Sequence, residues 1–199
     1  MRLTKFQSNF NHRLKFGETD PNFADYLALL DWVNENHCRM QAAVCGKRIY
    51  VSGGQKFDGY SRGVFSYDPV GDVWKDAPSL MYPRSNHNMA AVGDRLYVVG
   101  GNIEDSYGFP VPVSAVEMIE PSTMSSWTTC NAQISIREAG VAVLDSKIYI
   151  VGGINGHHYY ADSVQVYLSD DDRFECFDSK VRPGMHGRAC CLLVVPRYI

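Results

Sequence analysis

The stretch Ala91-Val92-Gly93-Asp94-Arg95-Leu96-Tyr97-Val98-Val99-Gly100-Gly101 decides how this chain is read. It spells a strand, a tight turn at Gly93-Asp94, a second and more apolar strand, and a pair of glycines. Two variants of it occur elsewhere. They are Val44-Cys45-Gly46-Lys47-Arg48-Ile49-Tyr50-Val51-Ser52-Gly53-Gly54 and Val143-Leu144-Asp145-Ser146-Lys147-Ile148-Tyr149-Ile150-Val151-Gly152-Gly153. In all three a tyrosine (Tyr50, Tyr97, Tyr149) stands three residues before the first glycine. The first glycines, at 53, 100 and 152, lie 47 and 52 residues apart. A period of that size marks a repeat architecture.

Each glycine pair is followed by a polar loop and two further strands. In the first repeat strands are predicted at 39–45, 48–52, 63–68 and from 73, with Trp74 in the last. The second repeat has them at 88–92, 95–99, 115–120 and 126–130, with Trp127 matching Trp74. Its loop 102–112 is longer, and Gly108, Pro110 and Pro112 exclude a central strand there. The third repeat has strands at 139–143, 147–151, 163–167 and 173–176, with Phe174 where the tryptophan stood. Repeat limits of 37–84, 85–136 and 137–182 follow. Residues 183–199 then hold one more apolar strand, at 187–196, with no glycine pair behind it. Residues 1–36 form a separate, irregular segment. A helix is plausible from Asp20, which can cap it; Pro21 suits the first helical position, and Phe23, Tyr26, Leu27, Leu30 and Val33 keep a helical spacing. The competing reading of this segment is the outer strand of an earlier repeat, with Trp32 as its aromatic.

A four-stranded antiparallel unit cannot bury both of its faces alone, so such units stack radially as the blades of a propeller. The predicted fold is therefore all-β: three blades of a partial propeller plus a final strand. The second strand of each blade lies inside the stack, which explains its unbroken apolar run. A tyrosine suits a blade-to-blade contact because its ring buries while its hydroxyl finds a partner. Paired glycines suit a place where backbone approaches closely or where φ is positive. Tyr50, Gly53, Gly54, Trp74, Tyr97, Gly100, Gly101, Trp127, Tyr149, Gly152, Gly153 and Phe174 are accordingly assigned structural roles.

Composition narrows the function. The chain has 199 residues, 45% of them hydrophobic and 21% charged, which is a globular balance. A net charge of -3 gives no pull toward a polyanion, so nucleic acid is not an expected partner. No apolar run approaches the roughly 20 residues of a membrane span, and the first eleven residues lack the apolar core of a secretory signal. The six cysteines (38, 45, 130, 176, 190, 191) show no Cys-x-x-Cys metal pairing and several sit in apolar strands. They read as free thiols in a reducing, cytoplasmic setting. His157-His158 beside Tyr159-Tyr160 reads as a polar binding loop, His87 and His186 as structural or rim residues, and 170–172 as a solvated acidic turn. No catalytic set, metal site or cofactor is expected, and the chain is not read as an enzyme.

Beyond the glycine pair, Tyr67-Asp68-Pro69, Trp74 and Met81-Tyr82-Pro83-Arg84 complete a pattern that resembles the kelch repeat. The resemblance covers about 37–199 and is strongest to the C-terminal propeller of kelch-like proteins. In that family the propeller binds substrates, follows BTB and BACK domains, and belongs to adaptors of cullin ubiquitin ligases. Family propellers usually have six blades, and 187–196 is similar to the strand that closes their ring. The resemblance thus implies the C-terminal half of a propeller, without a BTB or BACK pattern in 1–36. Cullin binding is not expected from this chain alone, and completing the ring would need another chain, such as a longer kelch-like one. Copper-radical oxidases also use kelch propellers, but their tyrosine–cysteine crosslink and histidine set has no counterpart here.

The family's binding face carries over to Gln55, Asn102 and Ile154 after the glycines, and to Arg39, Ser85, Asn86, Arg137 and Glu138 at the first-strand openings. Polar groups around a concave mouth suit an extended protein or peptide segment, flanked by loops 102–112 and 155–162. The implied function is substrate recognition for a ubiquitin ligase. A cytoskeletal, actin-binding or scaffolding kelch protein is the alternative, and a metal-dependent enzyme on a propeller is a weaker one. If the glycine pair serves close approach, Gly100→Val lowers the melting temperature, as differential scanning fluorimetry would register.

Overall fold

The computed structural model describes residues 38–177. The helix expected near 20–33 and the strand expected at 187–196 lie outside the described residues. Within them the chain is built of strands. The first blade comprises β1 (Gln41–Cys45), β2 (Arg48–Ser52), the short hairpin β3 (Gln55–Lys56) and β4 (Gly59–Tyr60), then β5 (Val64–Asp68) and β6 (Val73–Ala77). The second has β7 (Asn88–Val92), β8 (Arg95–Val99), the hairpin β9 (Asn102–Glu104) and β10 (Pro110–Pro112), then β11 (Ala115–Ile119) and β12 (Thr128–Gln133). The third opens with β13 (Ile136–Arg137) and β14 (Gly140–Leu144). It continues through β15 (Lys147–Val151), β16 (Ile154–Asn155), β17 (Val164–Leu168) and β18 (Arg173–Phe177).

Each blade is a four-stranded antiparallel meander, ordered β1-β2-β5-β6, β7-β8-β11-β12 and β14-β15-β17-β18. The expected architecture of three four-stranded sheets is present. Three short two-stranded ribbons were not foreseen: β3-β4, β9-β10 and β13-β16. Pro110 and Pro112 sit in one of these ribbons, where β10 pairs on one side only and a missing N–H does no harm. The fourth strand of blade two begins at Thr128, later than expected, and a bulge between Ala115 and Glu117 lets it run on to Gln133.

Period-two alternation on β8 explains the stacking. Leu96 and Val98 point into one apolar cluster with Cys45, Tyr50, Val64 and Leu80 of blade one. Tyr97 and Val99 point into a second cluster with Ile148, Ile150 and Tyr167 of blade three. All four β8 side chains are essentially inaccessible to solvent. Tyr97 meets Tyr167 edge-on at 5.6 Å between centroids. In blade one the positions matching Leu96 and Val98, Ile49 and Val51, are only half-buried, because no described blade precedes them.

Backbone contacts fix the spacing of the stack. Gly54 N donates to the Arg84 carbonyl at 2.8 Å, and Gly101 N to the Ile136 carbonyl at 2.7 Å, each joining one blade to the next. Gly100 has φ +68, and a Cβ there would overlap the same Ile136 carbonyl. Both reasons offered for the glycine pair therefore hold at this position.

Polar groups that no sequence period signals also reinforce the stack. Arg84 and Glu117 form an ion pair at 2.5 Å with neither side chain exposed. Arg84 also donates to the Gly100 and Ala115 carbonyls, both at 2.8 Å. Glu117 accepts from the N–H groups of Met81 and Tyr82. The connection between blades one and two is thus pinned by blade two, and the Trp127 indole adds a bond to the Pro78 carbonyl at 2.7 Å. Burial pulls the Arg84 guanidinium below its usual value, and the Glu117 carboxylate pulls it back. Asp172 is a correction to the solvated-turn reading of 170–172. Its carboxylate accepts from the N–H groups of Asn131 (2.6 Å) and Ala132 (3.2 Å) on blade two and from the Tyr167 hydroxyl. Burial opposes its ionised form, but these donors prevail and hold it below the usual carboxylate range.

Between blades one and two lies His87, fully buried, with its Nε2 2.9 Å from the Ser52 hydroxyl. Burial first, and then the nearby Arg84 charge, push it down to about 3.

Removing Glu117 leaves a buried guanidinium unpaired, so Glu117→Ala costs about 3–5 kcal/mol in urea denaturation. Arg84→Met with Glu117→Leu recovers part of that loss, because the charge is gone while backbone groups stay unpaired. His87 makes a separate prediction. It stays neutral in the fold while the unfolded chain protonates near 6.5, so stability is full above pH 6.5 and falls as pH drops toward 3. The slope is about 1.4 kcal/mol per pH unit. Urea titrations at pH 7 and pH 5 should differ by about 2 kcal/mol from this group, a difference that His87→Leu removes.

Candidate recognition face

The candidate recognition face grows from the glycine pairs. Immediately after each pair the chain bridges back to the residue that opens the blade. Cys38 and Gln55 exchange two backbone bonds of 2.9 and 2.8 Å, and Ser85 and Asn102 exchange two of 2.9 Å. Arg137 pairs with Ile154 in the β13-β16 ribbon. The residue after each opening, Arg39, Asn86 and Glu138, then takes the left-handed conformation, with φ of 60, 52 and 55°. That turn brings the three backbones together across the blades. Asn86 N donates to the Arg39 carbonyl (3.3 Å) and Glu138 N to the Asn86 carbonyl (3.0 Å).

These three residues line a concave cavity of about 600 Å³ against the innermost strands β1, β7 and β14. Their side chains are braced in turn. Arg39 donates to Gln55 at 3.1 Å, Asn86 to Asn102 at 3.0 Å, and Arg137 pairs with Glu138 at 3.0 Å. All eight residues named for binding from the sequence therefore gather at one end of the blades. They do not share one exposure. Arg39 is exposed, and Gln55, Asn86, Arg137 and Glu138 are half-buried. Ser85 at 0%, Asn102 at 2% and Ile154 at 9% are buried, so they hold the rim together and present little to a partner. His157 and His158 sit exposed in the loop of blade three. No group of three or more His, Cys, Asp or Glu side chains converges among the described residues.

The loops beyond the glycines are more ordered than their polar sequences suggest. In blade two, Asp105 N donates to the Phe109 carbonyl and Gly108 N to the Asp105 carbonyl. The Asp105 carboxylate accepts from the N–H groups of Tyr107 and Phe109, both at 2.9 Å. Asn155 of blade three repeats the arrangement. It bonds to Tyr159 and His158 through its backbone, and its side-chain oxygen accepts from His157 N and Tyr159 N at 3.0 Å. Asp or Asn with a glycine nearby is the sequence signal for such a turn. Between blades one and two, burial and then the Glu104 carboxylate beside it push the Tyr60 hydroxyl up to about 12.

Comparison with known proteins agrees with this geometry. The family model described as Kelch motif matches residues 37–81, 83–131 and 136–180. Kelch-like protein 26 of Danio rerio is 33% identical over 175 residues, covering 84% of this chain and 28% of that protein. Kelch-like protein 36 of Bos taurus is 32% identical over 133 residues, covering 63% of this chain and 21% of that protein. The solved structure of YjhT superposes with a TM-score of 0.62 over 74% of this chain and 52% of that one, at 15% identity, a likeness of fold. The chain thus spans less than a third of the length of the curated relatives it matches. Three matched motifs, falling on the three observed blades and covering well over half the residues, assign it: this chain belongs to the kelch-motif family.

Proposed function

We propose that this chain is a protein-recognition module that holds an extended segment of a partner over the mouth of its three blades. The observation that carries the reading is the shared backbone geometry of Arg39, Asn86 and Glu138. One left-handed residue per blade sits at the edge of a single cavity, joined to its neighbour by a backbone bond. A rigid frame that sets unlike side chains at equal positions favours selective binding, because little ordering cost remains to be met on contact. The resemblance to kelch-like proteins extends the proposal to a more specific role: substrate recognition within a cullin-RING ubiquitin ligase adaptor, acting in the cytoplasm. Coupling to a cullin would then lie with other segments or with another chain. The free thiols of Cys38, Cys45, Cys130 and Cys176 are compatible with a reducing compartment.

Charge reversal at the rim tests the reading while leaving the blades intact. In quantitative pull-downs, Arg39→Glu with Arg137→Glu should recover partners at least about tenfold less than the parent chain, as expected for charged interface hydrogen bonds. Lys47→Glu, on the turn at the opposite end of blade one, should recover them unchanged. Equal recovery by the rim variant and the parent would remove this face from the account.

A further inference from the structure

We propose that the outer corner of blade one, formed by Asp72 and Trp74 beside Ile49 and Val51, is a docking surface for another kelch-motif chain. It takes the outermost strand of a blade on that chain. The corner lies on the outermost strand of its own blade, away from the cavity at the mouth, so its docking is independent of what the mouth holds.

The joints inside the chain show twice what such a corner does. Between blades one and two, Trp127 gives its indole N–H to the Pro78 carbonyl at 2.7 Å. Between blades two and three, Asp172 accepts from Asn131 N at 2.6 Å and Ala132 N at 3.2 Å. Pro78 and Asn131 are equivalent, each standing four residues after the outer-strand tryptophan, Trp74 or Trp127. The preceding outer strand is thus held by its carbonyl at one joint and by its N–H groups at the other.

Blade one carries both devices at once. Asp72 repeats Asp172 closely: both have φ of 48°. Each accepts from the tyrosine five residues earlier, Tyr67 at 2.5 Å and Tyr167 at 2.9 Å. Each tyrosine packs on the aromatic two residues beyond the aspartate, with centroids 4.9 Å apart for Tyr67–Trp74 and 5.1 Å for Tyr167–Phe174. Trp74 in turn repeats Trp127. Tyr167 and Trp127 are buried by the preceding blade, whereas Tyr67 and Trp74 are half-buried and Asp72 is exposed. Among the described residues, the second Asp72 oxygen and the Trp74 indole N–H have no partner. Ile49 and Val51 are half-buried as well, while their counterparts Leu96, Val98, Ile148 and Ile150 are fully covered.

These contacts define the occupant. The N–H and carbonyl of one strand residue point the same way, so a single residue of an outer strand can meet both Asp72 and Trp74. Recognition is of main chain, with an apolar sheet face behind it to cover Ile49 and Val51, as blades one and two cover the equivalent residues. A second copy of this chain is poorly equipped for the role. Among its described residues Pro78 lacks an N–H, and those of Asn131 and Ala132 are taken by Asp172. The partner is therefore a different chain whose kelch blade leaves its outer strand open.

Photo-crosslinking of the full chain in cells tests the docking. Benzoylphenylalanine in place of Asp76, exposed on β6 and two residues past Trp74 on the same face, should form an adduct with another chain. Mass spectrometry should place the crosslink on the outermost strand of a kelch blade. The same probe in place of Lys75, on the opposite face, should form none. Asp72→Asn with Trp74→Phe should lower the adduct from position 76 at least about tenfold, the effect of losing one charge-assisted and one neutral hydrogen bond. Phenylalanine already stands at this place in blade three, and a melting temperature matching the parent would verify the fold. Adducts with sequences lacking kelch blades, adducts with a second copy of this chain, or no adduct above the Lys75 control would each overturn the docking. So would a yield that survives the double substitution.

Discussion

Each blade is joined to the next by a backbone hydrogen bond at a place too tight for any side chain. Gly54 reaches the Arg84 carbonyl and Gly101 reaches the Ile136 carbonyl, and the rest of the stack follows from that distance. At this separation the alternating residues of β8 can fill both neighbouring clusters at once. A wider gap would leave voids along Leu96, Val98, Tyr97 and Val99, and voids in a close-packed interior forfeit contact energy directly. The same closeness carries the opening residues of successive blades within reach of one another, so the candidate face is a product of the joint itself.

Much of the scaffold was legible because its determinants are local. A tyrosine three residues before a glycine pair, and an aromatic some twenty residues later, recur within short windows. The interactions that were missed join distant residues singly. Arg84 and Glu117 lie 33 residues apart, and the positions matching them in blade three are Ile136 and Gln165, so no period exposes the pair. Asp172 sat in a run of three aspartates that reads as solvent-facing; only the neighbouring strand reveals its backbone partners. The two- and three-residue ribbons after the glycines are too short for an alternation to be seen.

The candidate site divides along the same line. Family resemblance named eight rim positions, and the fold gathers them at one end. Between the neighbours Ser85 and Asn86, exposure follows the sign of φ, which sequence does not display outside glycine. Asn86 turns left-handed and stands at the cavity, whereas Ser85, one residue earlier, is buried by its bridge to Asn102. Tyr107, Phe109 and Tyr159 were seen as residues of flanking loops. The order of the loop backbone beneath them comes from side-chain oxygens that cap its N–H groups, a device that both Asp105 and Asn155 supply.

The left-handed residues carry one more consequence. Arg39, Asn86 and Glu138 hold successive blades through their main-chain atoms, and their side chains take no part in those inter-blade bonds. A left-handed arginine or glutamate costs about 1–2 kcal/mol relative to its preferred backbone, and the chain tolerates this in two of three blades. Cation, amide and anion already occupy equivalent posts within one molecule. Natural variation is therefore free to exchange the chemistry of these posts while the joint beneath them stays fixed.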